Sequence, residues 1–147
     1  MDINGTYTFA APRERVWNLL LDPEALRGAL PGVKEFKKSG DDEYEATMSI
    51  GVGAVKGTYT GKIQVRDQEP TSHYRLIVEG NGRPGFLKGD GLIELADAEG
   101  STVVTYKGQA QVGGMIAGVG QRLVSASAQL VISQFFKAMD RQLGRDA

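Results

Sequence analysis

Cysteine is absent from this chain of 147 residues, and histidine occurs once, at His73. Disulfides, thiolate nucleophiles and cysteine-ligated zinc or iron–sulfur sites are thereby excluded, and a single imidazole leaves too little for a histidine-based metal centre. No metal and no cofactor is expected. A charge of one sign is missing too: 17 basic and 18 acidic residues leave a formal charge of −1. The sequence has no electrostatic footprint for nucleic acid and no polybasic block for anionic lipid. No run reaches the apolar length of a membrane span. Residues Met1 to Thr6 lack the basic and apolar regions of a secretory leader, so the expected location is the cytoplasm. Repeats, low-complexity tracts and linker-like runs are also missing. What remains is 41% apolar content over one continuous stretch, enough for a single domain over 1–147 with a real core.

The C-terminal stretch is the most informative. From Met115 to Leu143 a polar stripe of Arg122, Ser125, Gln129, Ser133, Lys137 and Asp140 recurs at helical spacing. Val119, Leu123, Val124, Ala128, Val131, Ile132, Phe135, Phe136 and Met139 fill nearly everything else. The pattern predicts one helix of roughly forty Å, apolar over far more than the stripe that a surface helix buries. Only the rest of the domain is available to cover it.

That remainder reads as strands. Ile3 to Phe9 alternates, with Ile3, Gly5, Tyr7 and Phe9 on one side. Pro12 suits a first helical turn before Val16, Trp17, Leu19 and Leu20. Asp22-Pro23-Glu24 supplies an N-cap, first position and first-turn acid for a second short helix that Pro31-Gly32 stops. Six more strands are predicted, at about 33 to 39, 42 to 54, 56 to 68, 72 to 80, 86 to 96 and 101 to 112, separated by turn chemistry such as Ser39-Gly40-Asp41-Asp42 and Ala98-Glu99-Gly100. The fold class is α+β: a curved antiparallel seven-stranded sheet on one long helix, with two short helices after the first strand.

Alternation assigns faces. The inward rows would carry Tyr44, Ala46, Met48, Ile50 and Val52; Gly57, Tyr59, Gly61, Ile63 and Val65; Tyr74, Leu76, Val78 and Gly80; Leu87, Gly89, Gly91, Ile93 and Leu95; and Val104, Tyr106, Gly108, Ala110 and Val112. Several inward glycines mean either bends or space held for something else. The expected apolar cavity is lined by Trp17, Met48, Ile50, Tyr59, Gly61, Ile63, Leu76, Val78, Gly91, Ile93 and Tyr106. The helix contributes Leu123, Val124, Ser127, Val131 and Phe135, facing Met48, Tyr59, Ile63, Leu76 and Ile93. A mouth is expected between Gly82–Leu87 and Met115–Val119, bringing in Phe86, Ile116 and Val119.

Catalytic apparatus is not visible. Gly51-Val52-Gly53-Ala54-Val55-Lys56-Gly57 and the run from Gly80 to Gly89 lack the spacing and the following helix of a phosphate loop. His73 is expected to face outward beside an inward Tyr74, and no serine belongs to a nucleophile motif. No catalytic residue is assigned.

Phe9-Ala10-Ala11-Pro12-Arg13-Glu14-Arg15-Val16-Trp17-Asn18-Leu19-Leu20-Leu21-Asp22-Pro23-Glu24, followed by Leu30-Pro31-Gly32, resembles the opening of START-like (SRPBCC) helix-grip domains. Val55-Lys56-Gly57-Thr58-Tyr59-Thr60-Gly61-Lys62-Ile63, then Val112-Gly113-Gly114-Met115-Ile116-Ala117-Gly118-Val119-Gly120-Gln121-Arg122-Leu123-Val124 and Gln134-Phe135-Phe136, are similar to motifs of the carbon monoxide dehydrogenase G-subunit family. The resemblance implies a helix-grip fold with an apolar cavity. It also implies an accessory role to a molybdenum hydroxylase that helps that enzyme reach the membrane. Longer members add a linker and an apolar tail beyond the point matching Ala147, so the contact expected at the inner membrane face is peripheral and transient. The residues leave two functions open. One is a non-catalytic binding protein for a lipid or quinone-like molecule; the other is a cyclase- or dehydratase-like enzyme acting on an aromatic or polyketide substrate. The absence of an inward acid or base favours binding.

Overall fold

In the computed structural model, which describes residues 1–51 and 53–145, seven antiparallel strands form one sheet. Its chain order is β1 (Asp2–Phe9), α1 (Arg13–Leu20), α2 (Pro23–Ala29), β2 (Val33–Gly40), β3 (Glu43–Ile50), β4 (Gly57–Glu69), β5 (His73–Gly82), β6 (Gly85–Ala98), β7 (Ser101–Gly113) and α3 (Gln121–Arg145). The spatial order is β1-β7-β6-β5-β4-β3-β2. Strands β2 to β7 form a meander through short turns, and β1 closes beside β7 after the two helices. Asp22 caps α2 by accepting the Glu24 amide N–H, with Pro23 at the first helical position.

The polar stripe of α3 has a use that its spacing does not disclose. Its members Gln129 and Asp140 border β1, while Arg122 and Lys137 stay exposed. Gln129 donates to the Asn4 carbonyl at 3.2 Å and accepts from the Tyr106 hydroxyl at 2.9 Å, while the Tyr7 hydroxyl donates to Asp140 at 2.7 Å. The helix thereby covers one sheet edge, as exposed edges otherwise invite further pairing. The other edge, β2, carries exposed Lys34, Glu35, Lys37 and Lys38, charges that discourage such pairing.

Two boundaries differ from expectation. The long helix does not run from Met115: residues Gly114–Val119 form a 3-10 turn, and α3 begins only after Gly120, whose φ of 108° no α-helix accommodates. Strand β3 ends at Ile50 instead of reaching 54, and a second 3-10 turn occupies Gly53–Val55; Val52 lies outside the described residues. Both interruptions fall in glycine-rich sequence, where backbone freedom competes with a regular element.

The core gathers at the C-terminal end of α3. Phe9, Val16, Leu20, Val104 and Met139 are buried there. The Phe136 ring is stacked between Tyr7, at 5.4 Å between centroids, and Tyr106, at 5.6 Å. Trp17 meets Tyr74 edge-on at 5.5 Å. Helices α1 and α2 seal this end, with Arg15 donating to the Leu143 carbonyl at 2.8 Å and Gln142 to the Ala25 carbonyl at 2.8 Å.

Candidate functional site

Burial changes sharply along the concave face. On the sealed side the inward residues Tyr44, Ala46, Ile63, Val65, Tyr74, Ile93, Leu95 and Val104 are all buried. One or two pleats further on, Met48, Tyr59, Leu76, Val78, Leu87 and Val112 are only half-buried, although they are apolar and face the helix. Opposite them, Ala128, Val131, Ile132 and Phe135 of α3 are half-buried too. An apolar groove therefore runs between the sheet and the N-terminal half of α3, with water-accessible surface on both walls.

The inward glycines separate into two kinds. A Cβ at Gly61 would fall inside the van der Waals shell of the Glu79 carbonyl oxygen, and one at Gly108 would lie 2.9 Å from the Asp90 carbonyl oxygen. At Gly91 it would lie 3.2 Å from the Lys107 carbonyl oxygen. These three serve close approach of strands in a curved sheet. Gly80 and Gly89 differ: the nearest atoms to an added Cβ are Tyr59 Cβ at 3.9 Å and Val78 Cγ2 at 3.8 Å. Both positions have room. In register, Gly80 faces Gly61 and Leu87, and Gly89 faces Val78 and Ala110, so the positions that admit a Cβ at ordinary contact distance lie in the middle of the groove floor.

The polar atoms near the groove are already engaged. Tyr59 donates to the Val55 carbonyl at 2.6 Å, and the buried Ser127 hydroxyl accepts the Ala54 amide N–H at 2.8 Å and donates to the Leu123 carbonyl at 2.9 Å. These bonds hold the turn Gly53–Val55 against α3 over one end of the groove. Among the described residues, no Asp, Glu, Lys, Arg or His stands on the inward rows at 44–50, 57–65, 74–80, 87–95 and 104–112; Asp97, further along the β6 row, pairs with Arg13 at 3.7 Å. Burial raises the pKa of Tyr59 and Tyr106 above the ordinary tyrosine value, so both present neutral hydroxyls at physiological pH. Among the described residues no cluster suits a metal ion.

The residues expected to line a cavity divide accordingly. Met48, Tyr59, Leu76, Val78, Val131 and Phe135 do border the groove, and Tyr106 stands at its boundary with the core. Trp17, Ile50, Ile63, Ile93 and Ile116 are buried by protein. Ile116 is not a mouth residue: its amide N–H donates to the Pro84 carbonyl at 2.8 Å, and its side chain is buried. The two segments expected to frame a mouth thus close on each other. A surface cleft of about 460 Å³ lies beside them and touches Phe86, Val112, Ala117 and Val124. Leu123 and Val119 face solvent at 56% and 41% exposure. The reason is helical geometry: the buried positions Val124, Ser127, Phe136 and Met139 centre the inner face well away from Leu123, which lies about 100° round the helix from Val124. Phe86 is outward because its neighbour Leu87 is inward. Leu87, expected at the mouth, borders the groove; so do Gly80, Gly89, Ala128 and Ile132, which were not singled out, although strand alternation already placed the two glycines inward.

The sequence matches the family model described as the carbon monoxide dehydrogenase G subunit (CoxG) over residues 5–144. A conserved protein from Geobacillus kaustophilus has a similar structure at 38% identity and a TM-score of 0.94, covering 99% of this chain and 96% of that one. A protein from Thermus thermophilus is similar at 17% identity and TM-score 0.77, covering 100% and 99%. A START superfamily protein from Mycobacterium smegmatis is similar at 14% identity and TM-score 0.75, covering 99% of each chain. The last two speak for the fold alone, which is the START-like helix-grip arrangement. No curated protein matches the sequence.

Proposed function

Since the chain belongs to the CoxG family of carbon monoxide dehydrogenase, we propose that it carries a hydrophobic small molecule, lipid- or quinone-like, between its sheet and α3. In this reading it is a non-catalytic accessory protein of a carbon monoxide dehydrogenase type molybdenum hydroxylase, serving that enzyme in membrane association or by delivering an electron acceptor. The observation that carries the reading is the burial step: apolar residues on both walls of an interior groove remain wet where the same strands are fully packed a few residues away. Each 100 Å² of such surface that a ligand covers is worth about 2.5 kcal/mol. An uncharged ligand body fits, because no charged side chain faces it. The Tyr59, Tyr106 and Ser127 hydroxyls are committed to protein partners, which supports holding over turnover. The partner enzyme enters through the family's name, and action at the inner membrane face follows from where such a ligand resides.

The chain's one tryptophan supplies the test. Titration with a polyprenyl quinone should quench Trp17 fluorescence saturably, with a water-soluble quinone lacking the tail far weaker. Equal quenching by both, linear in concentration, would mean collision without a binding groove.

A further inference from the structure

Along β6 and β7 the floor of the groove changes height at one place. From the half-buried side the inward pairs run Leu87 with Val112, Gly89 with Ala110, Gly91 with Gly108, Ile93 with Tyr106 and Leu95 with Val104. The second and third pairs carry no side chain larger than a methyl. From Leu87 to Ile93 the strand advances about 20 Å, so the floor is low between a rim of Leu87 and Val112 and a step made by Ile93 and Tyr106. Behind the step the residues are fully packed: Leu95 and Val104 are 5% and 0% exposed, whereas Tyr106 is half-buried.

Tyr106 is held at this step from three directions. Its cross-strand partner on β1 is Gly5, and a Cβ there would overlap the end of the Tyr106 side chain, so the ring lies across the glycine and covers the edge strand. The hydroxyl donates to Gln129 at 2.9 Å, and Gln129 donates in turn to the Asn4 carbonyl at 3.2 Å. On the core side the ring stacks on Phe136 at 5.6 Å. Covering an edge glycine needs only an aromatic ring. The bond to Gln129 also ties that ring to α3, so the phenol bridges sheet and helix at the point where the groove ends.

We infer, resting on the groove as the ligand site proposed above, that Tyr106 is the stop that sets how long a hydrocarbon chain the groove accepts. The ligand enters apolar end first. The Tyr59, Tyr106 and Ser127 hydroxyls all donate to protein acceptors, which leaves no free side-chain donor among them for a polar headgroup, and a headgroup stripped of water without new partners is costly. The leading carbons lie over the Gly89 and Gly91 rows and end against the phenol. Each methylene added short of that point strengthens binding about fourfold. One added beyond it meets the phenol and gains nothing.

Calorimetric titration of the full chain with a homologous series of straight-chain primary alcohols tests the stop. In the wild type, affinity should rise about fourfold per methylene up to a break and level off beyond it. Tyr106→Ala removes the phenol, so the first alcohol past the wild-type break should bind about fourfold more tightly than it does to wild type. Gly5→Ala acts in the opposite sense. Gly5 has no positive φ, so alanine adopts its backbone, but the new methyl pushes the phenol off β1. With Phe136 and Val104 packed behind it, the ring moves into the groove, and the alcohol at the wild-type break should bind at least about fourfold more weakly. Tyr106→Phe keeps the ring and should leave the break where it is. Gly5→Ala carries the test alone if Tyr106→Ala is too unstable to titrate. A break at one chain length in wild type and both alanine variants, or no break in the wild type, would overturn the stop and leave the groove as a binding site. Absence of binding by every alcohol would also overturn the stop; the groove itself falls only if a polyprenyl quinone fails to quench Trp17 as well.

Discussion

Gly61 and Gly80 face each other across β4 and β5, yet one has no room for a side chain and the other does. At Gly61 a Cβ would strike the Glu79 backbone, whereas at Gly80 the nearest atom is 3.9 Å away. Gly80→Leu and Gly89→Leu should therefore fill the groove and weaken binding of a hydrophobic ligand at least about tenfold, with folding largely retained, because added bulk is tolerated where space exists. Gly61→Leu should cost about 3 kcal/mol through forced backbone movement. Urea unfolding alongside quinone titration separates the two; a fold lost equally in all three variants would mean the vacant floor does not exist.

Leu123 and Val124 are sequence neighbours about 100° apart round the helix, one exposed and the other buried. Leu123→Gln should change stability by less than about 0.5 kcal/mol as an exposed substitution, whereas Val124→Gln buries an amide and should cost about 2 kcal/mol or more. Equal destabilisation would place Leu123 against the sheet after all.

Ser127 ties the turn Gly53–Val55 to α3 through the Ala54 amide. Ser127→Ala leaves that N–H without its acceptor, at an expected cost of about 1 to 2 kcal/mol. Hydrogen exchange at Ala54 should accelerate much more than exchange in β5. Unchanged protection at Ala54 would show that the turn is held by other contacts.

All five tyrosines have pKa values raised above their ordinary value of 10.0, and for Tyr7 burial and the bonded, charged Asp140 push it up to about 12. A group whose folded pKa exceeds its unfolded pKa stabilises the fold fully below the unfolded value and loses that contribution as pH rises toward the folded one. Stability should hold to about pH 10 and fall steeply above it, with phenolate absorbance appearing together with unfolding. Phenolate absorbance complete at pH 10 in a folded protein would contradict the burial of these rings.

The fold was legible because its signals are local and repeated. Period-two alternation marked the strands, Asp22-Pro23 started α2, and turn residues marked the strand ends. The helix start was harder to read, since Gly118 and Gly120 do not by themselves disclose a φ of 108° at Gly120. Which side of α3 faces inward was misread at Leu123: the apolar residues encircle much of the helix, and its rotation is fixed by contacts across the fold, among them Gln129 with Asn4 and Tyr106, Asp140 with Tyr7 and Ser127 with Ala54. Whether a given inward glycine holds space or admits a neighbouring backbone depends on sheet curvature, a property of three strands at once that no one strand's sequence records.

Mass spectrometry of the organic extract from wild-type protein and from Gly89→Leu, both purified without detergent, tests the central claim most directly. A stoichiometric hydrophobic molecule in the wild-type extract, much reduced in the variant at matched folding, is the predicted result. Extracts that are empty for both, or that carry the same molecule in equal amount, would contradict a ligand held between the sheet and α3.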